Sequence, residues 1–373
     1  MSPYLLVGII VAALAFVGSN QRYERMAYFV SFVLLSLFLA FRYGQGTDWL
    51  SYNYIFSLAP NTLDLSSSFY SASVHSEIGW KIINNLVKAL GGDFVFLSVV
   101  TSIVEMALLG KFLNRYSPNR AFSLLISYPV VYLTYFFSMM RQGLVIAIFL
   151  GVMLDMLNEK RFLPYIMFTA ICTSIHSLSI VFIAPYFANY INRKSLSLMI
   201  AACAAIGMAL IPLLPRIIEI LSMDYSTADI SVLALMYRLG MALLVFFLFS
   251  SAKRKGDNID DLNHLIKVYV SGISIYLLFM GNDLYASRLA SPMLAAELVL
   301  IPKLLSRSEL TSRIPILVAV LLASSVMYVK NIDSYIDQAP YVQTVDVINY
   351  PYISIFNKQD IYLYSRNRYL PYL

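Results

Sequence analysis

Eight ionisable residues lie at or near the ends of apolar runs and outside the basic groups between those runs: Arg42, Asp48, Glu77, Arg141, His176, Arg238, Asp283 and Arg288. A charge placed inside a bilayer costs about 2.5–3.5 kcal/mol unless it meets a partner or water. Four of the eight are arginines and none is a lysine. Arginine's planar fork matches the oxygens of a diphosphate, whereas lysine offers a point charge. Gathered at one level from separate segments, these residues would line a polar chamber open to the outside. Scattered, each guanidinium would pair with a carboxylate or snorkel to lipid headgroups.

His176, one of three histidines with His75 and His264, sits among Ser174, Ser177 and Ser179. It suits either a general base working near neutral pH or a hydrogen-bonded turn histidine. In the stretch Phe41-Arg42-Tyr43-Gly44-Gln45-Gly46-Thr47-Asp48-Trp49-Leu50-Ser51-Tyr52, Gly44 and Gly46 permit a sharp exit from the preceding run. Asp48 could cap the turn that follows. The Gly-Gln-Gly step is no phosphate loop, for it lacks the lysine and the strand context. Glu105, near mid-depth, fits a hydrogen-bonded neutral carboxyl, with a proton relay as the alternative. No His, Cys or carboxylate spacing suits a metal, and no Gly-x-Ser-x-Gly motif is present. The two cysteines, Cys172 and Cys203, both lie in apolar runs. Neither a disulfide framework nor a cofactor site follows from them.

The elements that must position these side chains are set by composition. Of 373 residues, 59% are hydrophobic and 13% charged, with a mean hydropathy of +0.70. Soluble domains carry roughly 25% charged residues, so a water-soluble enzyme is excluded. Disorder is excluded too, because 23 Phe and 28 Tyr need burial in protein or lipid. A net charge of +6, spread in small groups between apolar runs, is an orientation signal and no footprint for nucleic acid.

The composition predicts an all-α polytopic membrane protein, a single integral domain over 1–373. A crossing takes about 20 apolar residues. Twelve segments are predicted, with a range of 10–12: 3–18, 26–41, 93–112, 121–138, 142–157, 162–175, 177–191, 196–213, 232–251, 264–281, 286–304 and 314–330. Sixteen of the 27 Lys and Arg fall in six groups between these runs or at their edges, Lys267 included. All six groups share one side only if 162–191 turns back on itself near Ser174-Ile175-His176, which sets both termini outside the cytoplasm.

Residues 42–92 then form an outward loop after the second segment, and 331–373 an outward tail ordered against the outer face. In the loop, Ile78, Trp80, Ile82, Ile83, Leu86, Val87 and Leu90 recur at helical spacing, with Lys81 and Lys88 on the polar side. That pattern predicts an amphipathic helix, lying at headgroup level or packed on the bundle top. No internal repeat supports an inverted-repeat transporter.

The run Arg42-Tyr43-Gly44 with Gly46-Thr47-Asp48 and Tyr52 resembles the signature of EpsG-like proteins, which belong with the Wzy-type polymerases of O-antigen and exopolysaccharide. Glu77-Ile78-Gly79-Trp80, Arg141-Gln142-Gly143, Ile175-His176-Ser177 and Ser287-Arg288 match further landmarks in order, over about residues 30–305. Trp49 stands where the family usually has Tyr, and nothing beyond 330 matches.

The resemblance implies a fold similar to the C-type glycosyltransferases and O-antigen ligases, in the bacterial inner membrane with the active site facing the periplasm. It implies a metal-independent polymerase without cofactors. The enzyme would transfer a growing glycan from undecaprenyl diphosphate to the non-reducing end of a lipid-linked repeat unit. A flippase and a chain-length regulator would be partners, beside membrane lipids. Arg141 and Arg288 would stabilise the departing diphosphate, with Arg42 and Arg238 assisting. His176 or Glu77 would be the base. Tyr43, Asp48, Tyr52, Trp80, Gln142 and Asp283 would bind or orient sugar. The rivals are a lipid-linked glycan ligase and, in another class, a transporter of an anionic or lipid-linked glycan.

Overall fold

The computed structural model describes residues 1–71, 74, 76–213, 231–257, 259–308, 310–338, 345–364 and 369. Among them the chain is helical, with a single isolated bridge between Arg42 and Ser354. The helices are α1 (Pro3–Val17), α2 (Gln21–Ala40), α3 (Trp49–Leu58), α4 (Ile78–Ala89), α5 (Phe94–Tyr116), α6 (Arg120–Phe137) and α7 (Met140–Asn158). They continue as α8 (Phe162–Ile175), α9 (Ser177–Ala188), α10 (Arg193–Leu210), α11 (Val232–Arg254), α12 (Asn263–Leu278), α13 (Asp283–Leu294), α14 (Glu297–Ser306), α15 (Leu310–Gln338) and α16 (Ile361–Tyr364).

Every one of the twelve apolar runs coincides with helix. Six described helices are long and apolar enough to cross a membrane, or seven if α13 and α14, bent by 49°, count as one span. The protein is a polytopic membrane protein. The chain divides into two compact units: Met1–Gly151 with Ile171–Ser177 and Ile316–Leu373, and Val152–Ala170 with Leu178–Pro315.

In the first unit, polar caps start the helices. Asn20, Asp93 and Asn119 accept from the backbone N–H of Arg22, Phe96 and Phe122 at 3.0, 2.7 and 2.9 Å. Pro129 falls inside α6 and removes a donor there, and the helix widens to a π form over Tyr128–Phe137. The loosened carbonyls are met by side chains of α15. Asn331 donates to the Pro129 carbonyl at 2.5 Å, and the Tyr335 hydroxyl donates to that of Leu133. This contact carries α15 on to Gln338, past the predicted end at 330, because Asn331, Ile332 and Tyr335 are buried rather than part of a tail.

The described tail residues pack back on the unit. The Tyr43 N–H donates to the Ile353 carbonyl and the Ile355 N–H to that of Phe41, both at 2.9 Å, and Tyr352 stacks on Phe38 with centroids 4.2 Å apart. Pro340 and Pro371 lie outside the described residues.

Helix α4 is amphipathic as predicted, but its faces are reversed relative to the packed reading. Trp80, Lys81, Asn84 and Asn85 are buried, while Ile78, Ile82, Leu86 and Leu90 are exposed. The spacing puts Lys81 on the polar outer side; the structure turns it inward. The reason is hydrogen bonding. Lys81 Nζ donates to the Ser71 carbonyl at 2.9 Å, and Asn85 donates to the carbonyls of Pro60 and Thr62 at 2.8 and 2.9 Å.

In the second unit, the segment 162–191 folds back on itself. The Tyr165 hydroxyl reaches the Phe182 carbonyl at 2.5 Å, that of Tyr186 reaches the Lys160 carbonyl at 3.1 Å, and Asn189 reaches the Leu157 carbonyl at 3.1 Å. These rungs make α8 and α9 an antiparallel hairpin, the alternative that charge distribution selects.

Candidate active site

The turn between α8 and α9 brings His176 into the first unit, against the start of α4. Gly79 permits the approach. A Cβ there would stand 2.7 Å from the Ser174 carbonyl oxygen, so only glycine lets α4 rest on the turn. Glu77, just before α4, then meets three partners. One carboxylate oxygen accepts from the Ser177 N–H at 2.9 Å and lies 3.6 Å from His176 Nδ1. The other accepts from the Arg141 guanidinium. Arg141 projects from the first turn of α7, with its guanidinium carbon 5.2 Å from the Tyr52 ring centroid. The Tyr52 hydroxyl in turn donates to Asp48 at 3.2 Å.

Glu77, Arg141, His176, Tyr52 and Asp48, separated by up to 128 residues, thus form one connected cluster. Asp48 heads α3 but makes no side-chain cap, so the capping alternative gives way to its bond with Tyr52. Burial alone would raise the Glu77 pKa. Hydrogen bonding to His176, the Arg141 charge and the Ser177 N–H outweigh it and hold the carboxyl well below the usual range. Glu77 is therefore a fixed anion near neutral pH and a weak proton acceptor. His176 faces that anion through Nδ1.

Arg42 is placed differently. It is 1% exposed, where a chamber-lining role would leave it open. One terminal nitrogen donates to the Leu39 carbonyl at 2.8 Å and to Ser102 at 3.0 Å, and the group lies 5.2 Å from the Phe137 ring centroid. Its neighbouring charge is Glu105 on α5, wholly buried. Neither Glu105 oxygen has a hydrogen-bond partner, nor do Arg42 Nε and its other terminal nitrogen. The hydrogen bond expected of the Glu105 carboxyl is not present, because only apolar groups and the Arg42 side chain surround it. A Cβ on Gly143 would come within 2.6 Å of a Glu105 oxygen, so the Arg141-Gln142-Gly143 step lies directly on that carboxylate.

The loop following Arg42 is fixed by Gly46, at φ +91°, where an added Cβ would stand 2.6 Å from the Phe137 carbonyl oxygen. Thr47 bonds Ser138 through its N–H at 2.8 Å and its hydroxyl at 2.5 Å.

The aromatic rings expected to bind sugar are covered by protein. Tyr43, Trp49, Tyr52 and Trp80 are buried; Tyr43 packs on Trp49 at 4.9 Å and Tyr52 on Trp80 at 5.8 Å between centroids. They shape the ground beneath the cluster. Gln142 is buried as well.

Three predicted residues belong to the second unit. Asp283 opens α13, where its carboxylate accepts from Ser287 at 3.3 Å and Tyr276 at 3.4 Å, and Arg288 is half-buried on the same helix. Arg238 on α11 lies 3.7 Å from the buried Glu297, which is the carboxylate-paired alternative for that arginine.

Sequence reasoning missed the Ser177 N–H as a partner of Glu77 and the nearness of Arg42 to Glu105. A backbone donor has no sequence signature, but a buried arginine demands a counter-charge, and Glu105 was the mid-depth carboxyl available. Among the described residues no group of His, Cys, Asp and Glu could hold a metal ion.

No curated protein and no solved structure matches the chain. The EpsG family model matches residues 25–344, a span that includes every landmark of the cluster. The chain belongs to the EpsG family.

Proposed function

We propose that this protein is a polymerase of O-antigen or exopolysaccharide assembly, transferring a growing glycan from undecaprenyl diphosphate to a lipid-linked repeat unit at the periplasmic face of the inner membrane. Membership of the EpsG family, which is associated with polymerase-type glycosyl transfer, supports the class. The observation that carries the chemistry is the cluster of Glu77, Arg141 and His176.

In the proposed step the acceptor hydroxyl loses its proton to His176. Its oxygen bonds to the donor's anomeric carbon. The bond from that carbon to the diphosphate oxygen breaks, and undecaprenyl diphosphate departs with the electron pair. Glu77 orients His176 and stabilises the imidazolium that forms. Arg141 faces the charge growing on the diphosphate, and preorganised donors of this kind are typically worth about 10²–10³ in rate. Arg288, with Asp283 beside it, is proposed for the same diphosphate role on the family landmark Ser287-Arg288. Arg42 is proposed to frame the site rather than touch substrate, given its burial. Twelve crossings with both termini outside are proposed with this reading, and the reversal at α8–α9 favours it.

The test is turnover of a purified undecaprenyl-diphosphate repeat unit by the purified protein, with chelator present. Polymer should form, and Arg141→Ala and Arg288→Ala should each abolish it while single repeat units persist. Normal chain-length ladders from both variants would overturn the assignment.

A further inference from the structure

Helix α4 leaves a stripe of Ile78, Ile82, Leu86 and Leu90 exposed, at four-residue spacing along one side. The opposite side cannot release to cover it. Lys81, Asn85 and Lys88 are tied to the backbone carbonyls of Ser71, Pro60 and Ser57 at 2.8–2.9 Å, and the Tyr70 hydroxyl donates to Asn85 at 2.8 Å. Apolar exposure also continues past the helix. Gly91, at φ +84°, stops α4, and at Gly92 a Cβ would stand 2.8 Å from Val87 and 3.1 Å from Phe96. This turn gathers Val87 and Phe96 about Gly92, and beyond it Phe96, Val100 and Ile103 of α5 are exposed on a helix long and apolar enough to span the membrane.

We infer that α4 is an interfacial helix whose Ile78–Leu90 stripe lies in the lipid surface, continuous with the bilayer-facing side of α5. Helices of this kind bury their apolar side about 5–10 Å into the boundary between headgroups and acyl chains. Glu77 directly precedes the stripe, so lipid contact fixes the level at which Glu77 meets Arg141 and His176. That consequence rests on the proposed transfer reaction; the lipid contact does not.

The experiment uses full-length protein in nanodiscs without partner proteins. A bimane label is placed at Ile82→Cys or Leu86→Cys in a Cys172→Ala/Cys203→Ser background, with lipids brominated near the headgroup or deep in the chain. Labels at 82 and 86 should be quenched several-fold more by shallow than by deep bromines, and a label at Ser66→Cys by neither. A second measurement avoids folding losses. The unaltered protein is irradiated with lipid carrying a diazirine near its headgroup, and peptides over 78–90 should be tagged. Labels at 82 and 86 as unquenched as that at 66 would overturn the inference, as would tagging of 96–104 without 78–90; a surface that another protein covers would give that result.

Discussion

Arg141 beside Glu77 and Arg42 near Glu105 set the same two side-chain types together within one unit, yet the first two are in direct contact and the second two are not. The first pair is 21% exposed on each side chain and joined directly, and its carboxylate has further partners in Ser177 and His176. The second is sealed, with both carboxylate oxygens and two guanidinium nitrogens lacking hydrogen bonds. A half-open pair can exchange partners with an arriving diphosphate at modest cost. A sealed one can only hold its neighbours, and its loss leaves an uncompensated charge. In the proposed reaction the first would be the working pair and the second would frame it.

The comparison breaks most visibly at His176. His176→Ala should lower turnover by about 10²–10⁴ with the folded state intact, measured by polymer formation beside thermal unfolding. If unfolding shifts as much as activity, the half-open cluster is framing too. Next comes the sealed pair. Arg42→Met alone should destabilise by about 3–5 kcal/mol, and Arg42→Met/Glu105→Leu should recover most of that in denaturant unfolding. Additive losses would mean the two charges do not sense one another.

Gly79→Ala should cost about 1–3 kcal/mol by forcing α4 off the Ser174 turn. Turnover should fall with it, because Glu77 would leave Ser177; unchanged turnover would detach that contact from function. The smallest effect is acid stability. Glu77 titrates lower in the folded state than in the unfolded chain, so its stabilisation is complete above about pH 4.3 and fades as pH falls towards the folded value. The melting temperature gap between the parent protein and Glu77→Gln should be flat near neutrality and narrow below about pH 4. A gap that widens in acid would mean that Glu77 titrates higher in the folded state than in the unfolded chain.

Much of this arrangement could be read from residue order. Apolar runs located the helices because a membrane leaves no other way to satisfy the backbone. The balance of basic groups located the α8–α9 reversal. Glu77, Arg141 and His176 were legible as out-of-place charges. What escaped was direction. Periodicity divides α4 into two sides but does not say which meets protein, and Lys81 turned inward because backbone carbonyls lay within reach. Arg42 ends an apolar run in the same way whether it snorkels or is sealed, and its counter-charge lies 63 residues away on α5. Arg238 met Glu297 for a similar reason, across 59 residues of intervening chain.

The widened turns of α6 have a consequence for engineering. A π segment accommodates a surplus residue within an otherwise regular helix, and each residue in a regular helix advances the azimuth by about 100°. Tyr128–Phe137 therefore sets the rotational phase of Ser138, on which Thr47 hangs, and of the chain leading into Arg141. Deleting one residue between 130 and 134 would let the helix relax to ordinary pitch with that anchor point near its present place, whereas the same deletion in a regular stretch would swing it by about 100° and dismantle the cluster.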